Sequence, residues 1–167
     1  MRLLLLLLLL PAPLLAAEPV DLQGAWLFDE ASGGREVRAA AIDELTKEFT
    51  PLFRGIVRGR LTKAVEIRER YTIDVQPLAI TIASDENPAG WTTDLVGTPV
   101  QQTSSKGDAV TLTRTWTDGA LHTKATAERG VTTFRFDAQG DVLTLHVSVD
   151  NDRLPRPLTY ALTYRRE

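Results

Sequence analysis

From about residue 108 to the C-terminus the chain alternates apolar and polar residues, and turns interrupt the alternation every eight to twelve residues. Successive side chains of a strand point to opposite faces, so this pattern predicts strands that bury one face. Asp118-Gly119 separates two such segments and is typical of a two-residue hairpin turn, because both central positions need positive φ. An antiparallel meander of this length favours closure into a barrel, and small barrels often hold ligands.

The segment before the meander predicts one short strand, Gly24 to Phe28, followed by two helices. Residues 35–49 have helical spacing, and one face carries Val37, Ala41, Leu45 and Phe49. Thr50-Pro51 restarts the pattern, because threonine suits an N-cap and proline the first helical position. The second helix has an apolar stripe of Leu52, Phe53, Ile56, Val57 and Leu61. The sequence therefore predicts a mainly β fold: an antiparallel up-and-down barrel of about ten strands with a two-helix insertion after strand 1.

The N-terminus has the features of a secretory signal peptide. Arg2 supplies a positive charge, Leu3 to Leu10 form an apolar run, and Ala16-Ala17 provide small residues for cleavage. The alternative is an uncleaved anchor, but a membrane span needs roughly 20 apolar residues. We predict that residues 1–17 are removed by cleavage after Ala17, that residues 18–167 form a single domain, and that the protein is periplasmic or secreted.

Composition excludes several classes of function. The chain has 19 basic and 22 acidic residues, a net charge of −3, so it lacks the basic surface of a nucleic-acid-binding protein. It has no cysteine, which excludes disulfides, thiolate chemistry and a lipidated N-terminal cysteine, so we expect that it is not a lipoprotein. No Gly-x-Ser-x-Gly, phosphate-binding loop or dinucleotide-binding motif is present, and we predict neither an enzyme nor a bound cofactor.

The histidines and the paired carboxylates do not predict a metal site. His122 and His146 each lie opposite the apolar face of their strand, which indicates contact with solvent rather than inward ligation. Calcium needs six or more oxygen ligands in an ordered loop, whereas aspartate is common in turns. The two carboxylate pairs next to turns are Asp29 with Glu30 and Asp150 with Asp152. We predict no metal site and no catalytic residue.

Gly24-Ala25-Trp26 and the order of elements resemble the fatty-acid-binding-protein branch of the calycin superfamily, which also includes lipocalin-like barrels. The resemblance implies a ten-stranded barrel with a two-helix lid, in which Trp26 fills the closed end. In that family an arginine and a tyrosine on the last strand hold the ligand carboxylate. Here Tyr164 matches the tyrosine, Leu162 occupies the arginine position, and a second family arginine falls near Phe136. The resemblance therefore implies a ligand whose head is neutral or stays at the barrel mouth, because an unpaired buried carboxylate is costly.

The chain is also similar to bacterial exported proteins that carry a Leu-Pro-Arg-Pro-Leu stretch, here Leu154 to Leu158, a similarity that implies no activity. The inward faces of the predicted strands supply the candidate ligand-binding residues. Arg114 is either a lumen cation that stacks on Trp116 or an arginine that reaches water at the strand end. The aromatic residues line either a cavity or a solid core. The candidates are Trp26, Tyr71, Arg114, Trp116, Phe134, Phe136, Leu143, Leu145, Leu158, Tyr160, Leu162 and Tyr164.

Arg54 and Arg58 lie four residues apart on the second predicted helix and therefore on one face. In the family such a basic lid can touch anionic membranes transiently, whereas the alternative is a solvated helix face. We predict that the protein binds or carries a small hydrophobic molecule in the barrel lumen. The alternative is a ligand-free interaction module of the cell envelope, and an enzyme that uses lumen polar groups is a third possibility.

Overall fold

The computed structural model describes residues 18–104 and 107–167. The predicted signal peptide lies outside the described residues. So does Lys106, for which the sequence predicts a turn with Gly107 and Asp108. Short 3-10 helices precede and follow the first strand, at Pro19–Leu22 and Glu30–Ser32. The elements are β1 (Gly24–Phe28), α1 (Gly34–Thr46), α2 (Pro51–Ala64), β2 (Arg70–Gln76), β3 (Ala79–Ser84), β4 (Trp91–Thr93), β5 (Val100–Thr103), β6 (Ala109–Thr117), β7 (Ala120–Ala127), β8 (Gly130–Gln139), β9 (Val142–Asn151) and β10 (Leu158–Arg166).

The ten strands form one antiparallel sheet that curls into a nearly closed barrel, which confirms the predicted fold class. The strand order is β4-β3-β2-β1-β10-β9-β8-β7-β6-β5, so β1 and β10 pair and the two sheet edges are β4 and β5. The segment after β4 contacts β6, where the Trp116 amide donates to the Leu95 carbonyl at 3.2 Å. Asp118 and Gly119 both have positive φ, as predicted for the β6–β7 turn. β8 continues to Gln139 and β9 begins at Val142, so only Gly140 and Asp141 separate the two strands.

The helix pair is present in the predicted order, but the buried face of α1 differs from the predicted one. Ile42 and Leu45 are buried, whereas Val37 is about half exposed and Phe49 lies beyond the helix end. The face is set by packing against β10, through a cluster that includes Leu158, and not by apolar spacing alone.

The apolar stripe of α2 is mostly exposed. Only Leu61 near its C-terminal end is buried, where it joins the cluster beneath α1. Leu52, Phe53 and Ile56 are 80%, 53% and 55% exposed. Among residues 18–104 and 107–167, no helix is long and apolar enough to cross a bilayer.

Candidate functional site

One end of the barrel interior is closed by Trp26, as expected. The residue is completely buried, and its indole N–H donates to the Leu22 carbonyl at 2.9 Å. The Arg166 guanidinium lies 4.3 Å from the centre of the indole ring, an attractive cation–π geometry. Arg166 also donates to the backbone carbonyls of Asp21 and Gln23, so it ties the N-terminal segment to β10. This end of the barrel is therefore sealed by its own side chains.

Aromatic rings fill the adjoining part of the interior. The Tyr71 ring on β2 lies 5.7 Å from the Phe136 ring on β8 and 5.3 Å from the Tyr164 ring on β10, both edge-on. Phe28 lies 5.7 Å from Tyr164. Since rings from opposite walls touch, this half of the barrel is a packed core. Seven candidate residues belong to it: Trp26, Tyr71, Phe136, Leu143, Leu145, Leu162 and Tyr164.

The tyrosine hydroxyls are neutral groups in an apolar setting. Tyr164 donates to the Arg68 carbonyl at 3.0 Å and is completely buried. Burial raises the pKa of Tyr71 and Tyr164 well above the usual value of 10.0, and burial raises the pKa of Tyr160 to about 12. All three phenols therefore keep their protons near neutral pH, where they do not act as bases.

The half of the interior beneath the helices is less completely filled. Strand alternation points five residues of β7 to β10 inward there, yet each keeps partial exposure. Phe134 and Tyr160 belong to the candidate set, and both pack on the margin of the aromatic core. Leu158, another candidate, is buried against α1. The five partly exposed inward residues are Ala125, Thr132, Phe134, Val149 and Tyr160.

Arg114 points into the barrel and does not reach water at the strand end. It is 2% exposed, and its Nη1 donates to the carbonyls of Trp91 at 2.7 Å and Ile80 at 3.2 Å. Burial lowers the pKa of Arg114 to about 10, so the guanidinium remains charged near neutral pH. Among the described residues Arg114 forms no ion pair. Its predicted neighbour Trp116 is only partly buried at the margin of the core.

Arg114 and its cross-strand partner Thr123 bring unmatched polar atoms into an apolar interior. The two residues face each other on β6 and β7. Within the described part of the chain, neither the Arg114 Nε nor the Thr123 hydroxyl has a hydrogen-bond partner. A buried polar group without a partner costs about 1–3 kcal/mol, and a charged group costs more. The interior thus contains a cation and a hydroxyl that can accept a ligand with a polar or anionic end.

The candidate residues of α2 hold the helix pair together. Arg54 donates to the carbonyls of Phe49 and Lys47, both at 3.0 Å, and so satisfies acceptors at the C-terminal end of α1. Arg58 forms an ion pair of 2.8 Å with Asp43. Both arginines are exposed, and both also serve the fold.

His122 and His146 are exposed, as predicted, and no group of three or more metal-binding side chains occurs in residues 18–104 and 107–167. Thr123 and Thr132 lie in the interior but were not among the candidate site residues. Their alternation with Leu121 and Phe134 indicated an inward position, but polar residues at inward positions were not counted as site residues.

Comparison with models of protein families finds no match, and comparison with curated proteins finds none either. Solved structures share the fold. Lipid binding protein 8 from Caenorhabditis elegans is 8% identical with a TM-score of 0.60, over 92% of this chain and 100% of that one. A Schistosoma mansoni fatty acid binding protein in complex with arachidonic acid is 14% identical with a TM-score of 0.55, over 88% and 96%.

A heat soluble protein from Ramazzottius varieornatus has the same architecture, with 12% identity and a TM-score of 0.56 over 88% of this chain and 96% of that one. At these identities the likeness establishes a shared fold. The arrangement of ten strands and a helix pair that the sequence predicted is therefore the arrangement of fatty-acid-binding-protein barrels.

Proposed function

We propose that this protein binds and carries a small apolar molecule in the barrel interior, beneath α1 and α2. The observation that carries the proposal is the partial exposure of inward-facing side chains at this end, of which Phe134, Val149 and Tyr160 are the largest. An apolar chain placed against them contributes roughly 0.8 kcal/mol for each buried methylene. The arachidonic acid in the Schistosoma mansoni protein of similar fold supports a ligand of this kind.

The ligand that fits Arg114 has an anionic end. The resemblance to the family implied a head that is neutral or stays at the barrel mouth, because Leu162 and the region of Phe136 occupy the two family arginine positions. Arg114 supplies a lumen cation from a different strand, β6, and has no carboxylate partner among the described residues. A carboxylate that reaches the Nε of Arg114 would neutralise the buried charge and accept a hydrogen bond from a donor that otherwise has no partner. We expect binding without chemistry, since the interior phenols stay protonated and neither histidine faces the lumen.

Access to the interior runs past the helix pair, and α2 supports a transient contact with membranes. Its first two turns expose Leu52, Phe53 and Ile56, and the same helix carries Arg54 and Arg58. Apolar side chains beside cationic ones suit an anionic bilayer surface. Because both arginines also bond within the helix pair, a membrane that attracts them would loosen the lid over the ligand.

The proposal includes export of the protein from the cytoplasm. Arg2 and the run from Leu3 to Leu10 support translocation, with cleavage after Ala17 leaving a periplasmic or secreted barrel that begins at Glu18. Intact mass measurement of protein recovered from the periplasm tests this. A mature chain that retains residues 1–17 would contradict it.

A ligand-free interaction module of the envelope is the second candidate function. The exposed apolar residues of α2 favour it, because single exposed apolar side chains are common but adjacent ones mark contact surfaces. The packed aromatic half of the barrel is equally compatible with it.

Substitutions at two neighbouring threonines on β8 distinguish the carrier function from the interaction module. Thr132 points into the partly filled interior and Thr133 points outward, so Thr132→Trp plugs the lumen whereas Thr133→Trp leaves it open. Binding of a fluorescent fatty acid should weaken at least about tenfold in Thr132→Trp, because the indole occupies the ligand volume. Thr133→Trp should bind as the unmodified protein does.

Thr132→Leu fills less of the lumen and keeps the test usable if Thr132→Trp does not fold. Circular dichroism shows whether each variant is folded. Equal binding by the folded inward and outward variants would remove the carrier proposal and favour the interaction module. If the unmodified protein does not bind the fatty acid, the carrier proposal is likewise removed and the interaction module is favoured.

A further inference from the structure

A groove of about 550 Å³ crosses the outer face of the barrel over strands β6 to β10. Its walls are two rows of outward-pointing side chains. Its floor is the backbone of the inward-facing residues between them, such as Thr123, Phe134 and Val147. The inward neighbours two residues farther along each strand do not line it. The groove is therefore separated from the lumen by the thickness of the sheet.

One wall of the groove places three basic side chains side by side. His122 on β7 pairs with Arg135 on β8, which pairs with His146 on β9. Directly opposed residues have Cβ atoms about 4.5–5.5 Å apart, so the two imidazoles flank the guanidinium. Lys124, two residues along β7 from His122, adds a fourth basic group in the other wall, and no aspartate or glutamate is among the described residues that line the groove.

Arg135 has an unused donor. Its Nη2 bonds to Asp137, two residues along the same strand, at 3.1 Å. Its Nε is buried and has no hydrogen-bond partner within the described residues. The guanidinium is therefore held in place by one carboxylate while another of its donors remains unpaired.

The other wall carries hydroxyl groups. Register aligns Thr133, Ser148 and Thr159 on consecutive strands, with Lys124 and Thr113 extending the row to β6. Each hydroxyl can both donate and accept a hydrogen bond, so the row suits a ligand that itself has hydroxyl groups. One wall thus has the guanidinium and the two imidazoles, and the other has hydroxyl groups beside Lys124, so the two walls suit different groups of one ligand.

We propose that this groove binds a phosphate or sulfate monoester of a hydroxyl-rich small molecule, of which a phosphorylated sugar is the simplest example. The oxyanion bonds to Arg135, and the imidazoles on either side offer further ring nitrogens for hydrogen bonding. Lys124 adds a point charge, and the ester's hydroxyl groups lie along the threonine and serine row. This site is independent of the proposed lumen ligand, because it uses the opposite face of the same strands.

The chain has only two histidines, and both line this groove, so their proton resonances are probes of the site. Nuclear magnetic resonance titration of the folded protein with glucose 6-phosphate should shift both imidazole signals and saturate in the millimolar range. Inorganic phosphate should shift them with lower affinity, and glucose should leave them unchanged. Vesicles of phosphatidylglycerol, compared with phosphatidylcholine, test whether a lipid headgroup is the preferred source of the phosphate.

Arg135→Gln should weaken glucose 6-phosphate binding at least about tenfold, because it removes a charged donor. Thr133→Trp should also abolish binding by filling the groove, whereas Thr132→Trp should not affect it. Arg153→Gln, which removes an exposed arginine outside the groove, is the matched control.

The proposal is wrong if the sugar phosphate leaves both histidine signals unchanged, or if Arg135→Gln and Arg153→Gln bind it equally. Tighter binding to anionic vesicles than to glucose 6-phosphate would replace the soluble ester with a lipid headgroup. Since fatty acid binding is measured separately on the Thr132→Trp variant, failure here leaves the lumen proposal intact.

Discussion

Arg114→Met separates the role of the lumen cation in ligand choice from its role in stability. Methionine keeps an unbranched apolar side chain in the space while removing the charge and all donors. Two bonds from a charged donor, to the Trp91 and Ile80 carbonyls, are lost, which costs about 3–6 kcal/mol at about 1.5–3 kcal/mol each. Burial, however, lowers the pKa of Arg114 from 12.5 to about 10, a desolvation cost of about 3 kcal/mol that the variant avoids. The expected net destabilisation is therefore about 0–3 kcal/mol, measured by urea unfolding.

The same variant should change the ligand preference more than the stability. Paired titrations with dodecanoic acid and dodecanol near neutral pH compare ligands that differ in the anionic end. Loss of one charge-assisted hydrogen bond should weaken acid binding by about tenfold or more, while alcohol binding changes little. Arg153→Met, which removes an exposed cation, should leave both affinities unchanged. If acid and alcohol binding weaken equally, the argument for an anionic ligand is refuted. Arg114 would then serve only to bond β6 to β3 and β4.

The chain's three tyrosines should ionise only as the protein unfolds, because burial raises all three pKa values and the unfolded chain titrates near 10.0. The free energy of unfolding should thus fall as pH rises above 10, with tyrosinate absorbance rising cooperatively with loss of circular dichroism, and gradual ionisation in the folded state would contradict this. Gly130→Ala should destabilise the protein by about 1–3 kcal/mol, because a Cβ there would collide with the Asp150 carbonyl. Gly55→Ala, in open space on α2, should instead stabilise it by about 0.5–1 kcal/mol, and thermal melts that rank the two variants otherwise would refute the packing argument.

Alternation and turn chemistry allowed the meander to be predicted, because they are local properties. The phase of Leu143, Leu145 and Val147 determined which face of β9 is buried, and Asp118-Gly119 determined the β6–β7 turn. The presence and order of the two helices were predicted correctly, but their buried faces were not. Which residues of α1 and α2 are buried depends on how they dock on β10, and that docking is a tertiary property.

The division of the interior into a packed half and a partly filled half was not predictable from the sequence. Both halves have the same alternation of apolar residues, and only the contact between rings from opposite walls, as between Tyr71 and Phe136, distinguishes them. The position of Arg114 was left open for a related reason. Whether an arginine reaches water or turns inward depends on the carbonyls across the barrel seam, which belong to strands far away in the sequence.

Both proposed sites depend on a single strand register. On β8, Thr132 and Phe134 face the lumen while Thr133 and Arg135 face the groove. A shift of one residue would move every side chain to the opposite face, placing the guanidinium in the lumen and the phenyl ring in water. Gly130 opposes Asn151 at the start of the β8–β9 ladder, in a space too small for a Cβ. Substitution at this glycine should therefore impair fatty acid binding and sugar phosphate binding together, whereas tryptophan at Thr132 or Thr133 impairs only one of them.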